Sequence, residues 1–282
     1  MTKARMQVEL YYWPTIQGRG EFVRLLLEEA GADYVDVARA KGGVAAMMRF
    51  LEGKEPGALP FAPPFVKVGD AVVSQTANIL AFLAPKLGLV PDDETLRAEA
   101  SQIQLTIADF VGEIHDTHHP IAGSLYYEDQ KKEAKRRAQA FVKERMPRYL
   151  GWLENVIARN ATSARRWLVG RDLTYVDLSA FQVIEGLRYA FPNAMARLER
   201  KIPRVVALRD RVAERPRIAT YLESKRRLLF NQEGIFRRYP ELDAPPPRRT
   251  SRGARAMKSP RSAVPSSSSR RPGRAPRKDS RS

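Results

Sequence analysis

Two periodicities divide this chain. Up to about residue 85, short strand-like runs alternate with helical spacing, and beyond Pro91 only helical spacing persists. The run QVELYYW at 7–13 reads as a short strand. Gly18 to Ala30 (GRGEFVRLLLEEA) reads as an amphipathic helix, with Phe22, Leu25 and Leu26 on one face and Gly31 as its stop. YVDV at 34–37 makes a second strand. The segment 38–60 is loop-like, punctuated by Gly42, Gly43, Gly53, Pro56 and Gly57, with a helical turn or two in VAAMMRFLEG. PPFVKVGDAVVSQ reads as strand, tight turn at Gly69-Asp70 and strand, followed by a helix in TANILAFLAPKLG. The order β-α-β-α-β-β-α describes a small mixed sheet covered by helices.

The second half predicts an all-helical domain. Long helices are expected over 94–118 and 129–159, the latter bent at Pro147, with a shorter one from Thr174 and another over 203–226 broken by Pro216. Thr174-x-x-Asp177 before an apolar run is a capping-box pattern, which calls for a structural role. The expected division is therefore an α/β domain over 1–86, an all-α domain over 92–240, and a tail over 244–282. That tail is Pro, Arg, Ser, Gly and Ala with almost no large apolar residue, so it cannot offset the entropy of ordering and reads as disordered.

Charge and cysteine content narrow the chemistry. The chain carries a formal +17, but the stretch from Pro245 holds 12 Lys/Arg against the single Asp279, so most of the excess sits in the tail. The folded part needs no acidic partner. The tail could make a salt-dependent contact with nucleic acid, and equally it could be a dispensable extension; it has no aromatic residue for base stacking. There is no cysteine, which excludes disulfides, Cys-ligated zinc and a catalytic thiolate of the protein's own. Thiol chemistry here must use a substrate's sulfur. No apolar run approaches a membrane span, and the N-terminal apolar run is too short for a signal peptide, so the cytoplasm is expected.

Three segments carry a family resemblance. Tyr12-Trp13-Pro14 followed by Gln17-Gly18-Arg19-Gly20 and the helix with Arg24 to Glu28 resembles the first strand and helix of mu, pi and sigma glutathione transferases. Pro64 to Asp70 running into Ser74 to Leu80 is similar to that family's cis-proline hairpin and the Gln-Ser/Thr helix start that holds the γ-glutamyl end of glutathione. Gly170 to Leu187 is similar to the buried N-capped helix of its helical domain. On these residues the chain is identified as a tyrosine-type cytosolic glutathione transferase of a bacterial branch: a thioredoxin-like domain joined to an all-helical electrophile-binding domain. The resemblance implies glutathione as co-substrate, no metal, a small hydrophobic electrophile and a homodimer. A glutathione-dependent isomerase, or an idle transferase-like binding module whose tail recruits an acidic partner, are the alternatives.

The resemblance also assigns residues. Tyr12 would donate its hydroxyl proton to the glutathione sulfur; such a donor favours the thiolate and lowers a thiol pKa that is ordinarily about 8.5. Tyr11 would point to the opposite face of the sheet. Arg19 would reinforce the thiolate electrostatically. Gln75 and Thr76, where strand meets helix, would receive a carboxylate on the free N–H groups and positive dipole end. Phe50 and Lys54 stand where relatives place a Trp and a Lys near the glycine carboxylate, and Phe loses the indole donor. Asp109 would reach the γ-glutamyl amine of a partner subunit's glutathione. The spacing to Gln75 selects Pro64 as the cis-proline, so the residue before it is Pro63, which has no N–H to offer the peptide. His115, His118 and His119, near Glu113 and Asp116, could share a helix face, but two histidines at i, i+4 without a distinct third ligand are a weak metal signal. They are expected beside the electrophile pocket or on the surface, and no metal site is expected.

Overall fold

The computed structural model describes residues 6–160, 164 and 166–245. The first layer is a four-stranded sheet with its covering helices: β1 (Gln7–Tyr11), α1 (Gly20–Ala30), β2 (Asp33–Asp36), α2 (Gly43–Leu51), β3 (Phe65–Val68), β4 (Ala71–Ser74) and α3 (Thr76–Leu87). The strand order is β2-β1-β3-β4, with β1 parallel to β2 and the other pairs antiparallel. This is the thioredoxin-like arrangement expected from the pattern. The two-residue side-chain period of a strand sorts β1 between two cores. Val8 and Leu10 enter the main core with Phe22, Leu26 and Leu83. Tyr11 enters a smaller one with Met47, Phe50 and Phe65.

The second layer is helical: α4 (Glu94–Asp116), α5 (Lys131–Ala140), α6 (Met146–Arg159), α7 (Tyr175–Ala190), α8 (Pro192–Leu198), α9 (Pro203–Ala213) and α10 (Pro216–Glu223). Helix α7 is buried along almost its whole length and packs on α1, α4 and α9, which joins the two layers. Its start is fixed as expected: the Asp177 carboxylate accepts from the Thr174 N–H at 2.8 Å and from the Leu168 N–H at 2.9 Å. Burial pushes that carboxyl up to about 6 against the pull of these hydrogen bonds.

Two expectations change in detail. The bend assigned to Pro147 is realised upstream, as a π-helical turn over Phe141–Arg145 between α5 and α6. A proline at the second position of α6 cannot donate to the preceding turn, and widening that turn accommodates its ring and its missing hydrogen bond. The ordered chain also passes the boundary placed at 244. Asn193 donates to the Ala244 carbonyl at 3.1 Å, and the Arg197 guanidinium reaches the Pro245 carbonyl. The rest of the predicted tail lies outside the described residues. The described residues belong to one compact unit.

After α10 the chain does not stop packing. Residues 224–245 run as a strap back over the first layer. Asn231 Nδ2 donates to the Thr15 carbonyl at 2.9 Å, and Phe236 is buried against Gly186 of α7. A Cβ at 186 would come within 2.2 Å of the Phe236 ring, so only glycine admits the strap there.

Candidate functional site

Tyr12 follows the last residue of β1 and turns away from Tyr11. Its ring is 5% exposed, and its hydroxyl oxygen accepts the Arg19 backbone N–H at 2.8 Å. The loop before α1 is shaped around it: a Cβ at Gly18 would fall 2.0 Å from the Tyr12 hydroxyl and one at Gly20 would fall 2.5 Å from its ring. Burial raises the Tyr12 pKa, opposed by the Arg19 N–H. The hydroxyl is therefore protonated at neutral pH. With one lone pair occupied by Arg19, its proton is free to be donated elsewhere. Tyr11 instead donates to Glu9 at 2.6 Å and stacks on Phe65 with ring centroids 4.5 Å apart.

The exposed Arg19 side chain, Phe22, Thr76, Gln104, Ile107, Ala108 and Val111 line a cleft between α1, α3 and α4. Most of this lining is apolar. Thr76 Oγ1 and Gln104 Oε1 are buried here without a hydrogen-bond partner among the described residues, the kind of polar atom that a ligand satisfies. Gln75, just before α3, has φ +70, a left-handed conformation that costs a non-glycine residue energy. The first N–H groups of α3 are unpaired within the helix and point their dipole end towards this corner. The Pro63–Pro64 peptide bond is cis.

The other sequence candidates are placed differently. Phe50 is 7% exposed, with its ring 5.2 Å from those of Tyr11 and Phe65 in the smaller core. Lys54 is exposed just after α2 and pairs with Glu52 at 2.7 Å. Asp109 is exposed on α4. His115, His118 and His119 converge at the C-terminal end of α4, one turn beyond Val111, and the Arg19 charge is among the influences that keep His115 neutral.

What sequence reasoning missed is the buried network behind the Tyr12 loop. Arg24, fully buried, donates to the Ile16 and Gln17 carbonyls at 3.4 and 3.3 Å and pairs with Glu21 and Asp36. Glu21 accepts from Tyr221 at 2.7 Å and from Arg227 at 2.6 Å. Gln17 Oε1 accepts from Gln182 of α7 at 2.8 Å, and Gln17 Nε2 donates to the Leu228 carbonyl. Through these contacts the helical layer and the strap hold the segment that presents the Arg19 N–H to Tyr12. The available signal was Glu21 and Arg24, two charges at i, i+3 among the apolar residues of α1.

A thioredoxin-like layer ending in a buried tyrosine, set against an all-helical layer across an apolar cleft, defines a two-domain transferase-type fold. The family model for the glutathione S-transferase C-terminal domain matches residues 115–225. A glutathione S-transferase of Plasmodium falciparum is 23% identical over 79% of this chain and 98% of its own length. Hematopoietic prostaglandin D synthase of Gallus gallus is 26% identical over 74% of this chain and 92% of its own. The solved pi-class glutathione S-transferase of Onchocerca volvulus superposes with a TM-score of 0.60 at 19% identity, over 77% of this chain and 92% of that one. By these matches the chain is similar to the cytosolic glutathione transferases, and residues 115–225 match their C-terminal domain. These relatives are eukaryotic and lend no support to the bacterial branch expected from sequence.

Proposed function

We propose that the protein is a tyrosine-dependent glutathione transferase that conjugates glutathione to a small hydrophobic electrophile. The observation that carries this reading is the Tyr12 hydroxyl, which accepts from the backbone of Arg19, a residue that lines the cleft, and keeps its own proton. Donated to sulfur, that proton stabilises the thiolate without leaving the tyrosine. The Arg19 side chain adds positive potential at the same place. Thr76 and Gln75 at the start of α3 receive the γ-glutamyl carboxylate, Pro63 and Pro64 flank the peptide, and Lys54 reaches the glycine carboxylate. The apolar side chains Phe22, Ile107 and Val111 accept the electrophile. Holding thiolate and electrophile together supplies the rate through proximity.

A homodimer fits the same reading. Phe61 is 92% exposed on the loop before β3, with Leu59 also exposed, and Leu105 is exposed on α4. In a homodimer these side chains are covered by the partner. Asp109, exposed on that same helix, then reaches the amine of a partner's glutathione in this reading. No helix among the described residues is long and apolar enough to cross a membrane, in keeping with a cytoplasmic enzyme. The prostaglandin D synthase relative favours a second reading, isomerisation by the same thiolate. The test is the pH–rate profile of conjugation to a generic aromatic electrophile: Tyr12→Phe shifts its thiol limb to higher pH, and an unshifted limb overturns the assignment.

A further inference from the structure

All three histidines of this chain lie in one cluster, and the chain has no cysteine. One ring nitrogen of each lies within 4.8 Å of those of the other two. The backbone explains part of this: the His118 and His119 N–H groups both donate to the His115 carbonyl at 3.2 Å, so the helical path of α4 continues far enough to stack His115 on His119. His118 is 1% exposed, and its Nε2 lies 2.8 Å from the Ile235 carbonyl of the strap. A carbonyl only accepts, so Nε2 carries the proton. Nδ1 is then an unprotonated lone pair, buried, with no hydrogen-bond partner among the described residues.

We propose that His115, His118 and His119 form a binding site for a zinc-like divalent transition ion, with a fourth position open to an anionic ligand. The donor set suits that ion, since neutral imidazoles bind borderline metals such as zinc. Tetrahedral zinc with bonds of about 2.0–2.1 Å needs nitrogens roughly 3.3 Å apart. The two half-buried rings, His115 and His119, close the remaining distance by side-chain rotation while His118 stays anchored. Ligating histidines ordinarily donate their outer N–H to a carbonyl or carboxylate. His118 does so to Ile235. At His119 the Gln130 amide nitrogen stands 3.2 Å from Nδ1 and also has the Ala122 and Leu125 carbonyls at 3.1 Å for its two hydrogens, so coordination through Nε2 moves the ring proton to Nδ1 while Gln130 keeps both carbonyls.

The nearby carboxylates do not complete the site: Glu113 is held by Arg145 at 2.6 Å, and Asp116 lies 3.6 Å from Arg137. The charges that bear on the cluster are Arg19 and Arg237, the latter donating to the Gly234 and Glu233 carbonyls. Two guanidiniums oppose a bare dication and favour one that carries a hydroxide, chloride or carboxylate. That assigns the open position to an anion.

The inference does not depend on the transferase reading, and its test reads metal alone. Untagged full-length chain, stripped with chelator, is titrated calorimetrically with Zn²⁺, and Co²⁺ replaces it for an absorption spectrum. One equivalent is expected to bind with micromolar or tighter affinity, with a tetrahedral cobalt spectrum that changes on adding chloride or acetate. His115→Ala and His119→Ala, both at half-buried positions and checked for native circular dichroism, each weaken zinc at least tenfold. Absence of saturable binding up to about 100 μM, or affinity equal to the parent's in both variants, overturns the proposal.

Discussion

The two layers of this molecule hold their functional parts by different means. In the sheet layer, the parts are local: Tyr12, Gly18, Arg19 and Gly20 lie within nine residues, and one backbone N–H sets the hydroxyl's orientation. In the helical layer and strap, the parts are assembled from afar. Gln182, Tyr221, Arg227 and Leu228 reach back across about two hundred residues to Gln17 and Glu21. Local parts can be read as a motif. Distant ones hold the motif still, and their cost when broken falls on the whole fold.

The largest expected effect tests the distant side. Arg24→Met leaves Glu21 and Asp36 buried with their shared cation gone, a change worth about 3–5 kcal/mol when one partner of a buried pair is removed. Urea unfolding should show that loss. If the network also positions the Tyr12 loop, glutathione affinity falls in the same variant even where it remains folded. A stable variant with unchanged affinity would dissolve the contrast between the layers.

Acid stability sharpens it further. His118 and His115 have folded pKa values near 3 and 4 against an unfolded value of 6.5. The unfolded chain therefore takes up protons below about pH 6.5 that the folded chain refuses, and stability is lost progressively as pH falls through that window. Asp177 acts in the opposite sense between about 4 and 6, because its folded carboxyl holds a proton more readily than the unfolded one. Two imidazoles outweigh one carboxyl, so the net slope is a decline on acidification. His118→Asn, which keeps a donor for Ile235, should flatten the decline between pH 6.5 and 5 in metal-free buffer; a slope identical to the parent's would show that the helical end is not where acid acts.

On the local side, the test is a pair of neighbours. Removing one hydrogen bond to a charged sulfur costs about 1.5–3 kcal/mol, so Tyr12→Phe should lower kcat/KM about 10- to 100-fold. Tyr11→Phe loses only the bond to Glu9, on the other face of the sheet, and should change kcat/KM by less than about threefold. Equal losses in the two variants would mean that the tyrosines act through the sheet's stability and not through the thiol.

How much of this was legible follows the same division. The strand order of elements, the helix start at Thr76 and the opposed faces of Tyr11 and Tyr12 came from periods of two and 3.6 and from turn residues, all of which act within a few positions. Phe50 shows the limit of such patterns: a helical aromatic looks the same whether it faces a ligand or a core, and its packing on Tyr11 and Phe65 could not be read from the sequence. The strap was invisible, since burial of Ile235 and Phe236 in a short irregular segment has no period, and its landing place on Gly186 is set by a glycine half a hundred residues upstream. His118 escaped for the same reason: its fixed tautomer depends on the Ile235 carbonyl, which nothing local announces.

The smallest expected effect concerns Pro63, the point where this chain departs from the resemblance that describes the rest of its sheet layer. In that family the residue before Pro64 offers an N–H and a carbonyl to the cysteinyl backbone of glutathione, as one more strand would at a sheet edge. Proline keeps the carbonyl and lacks the N–H. One missing hydrogen bond is worth about 0.5–1.5 kcal/mol, which corresponds to a several-fold loss of affinity. Pro63→Ala restores the donor without adding bulk, and Pro63→Leu restores it with an apolar side chain. Both should tighten glutathione binding several-fold by calorimetric titration, with the preference among electrophiles unchanged, because neither variant alters Phe22, Ile107 or Val111, which line the cleft. Equal or weaker affinity in both variants would mean that another donor already satisfies the peptide carbonyl, and would return position 63 to a purely conformational role.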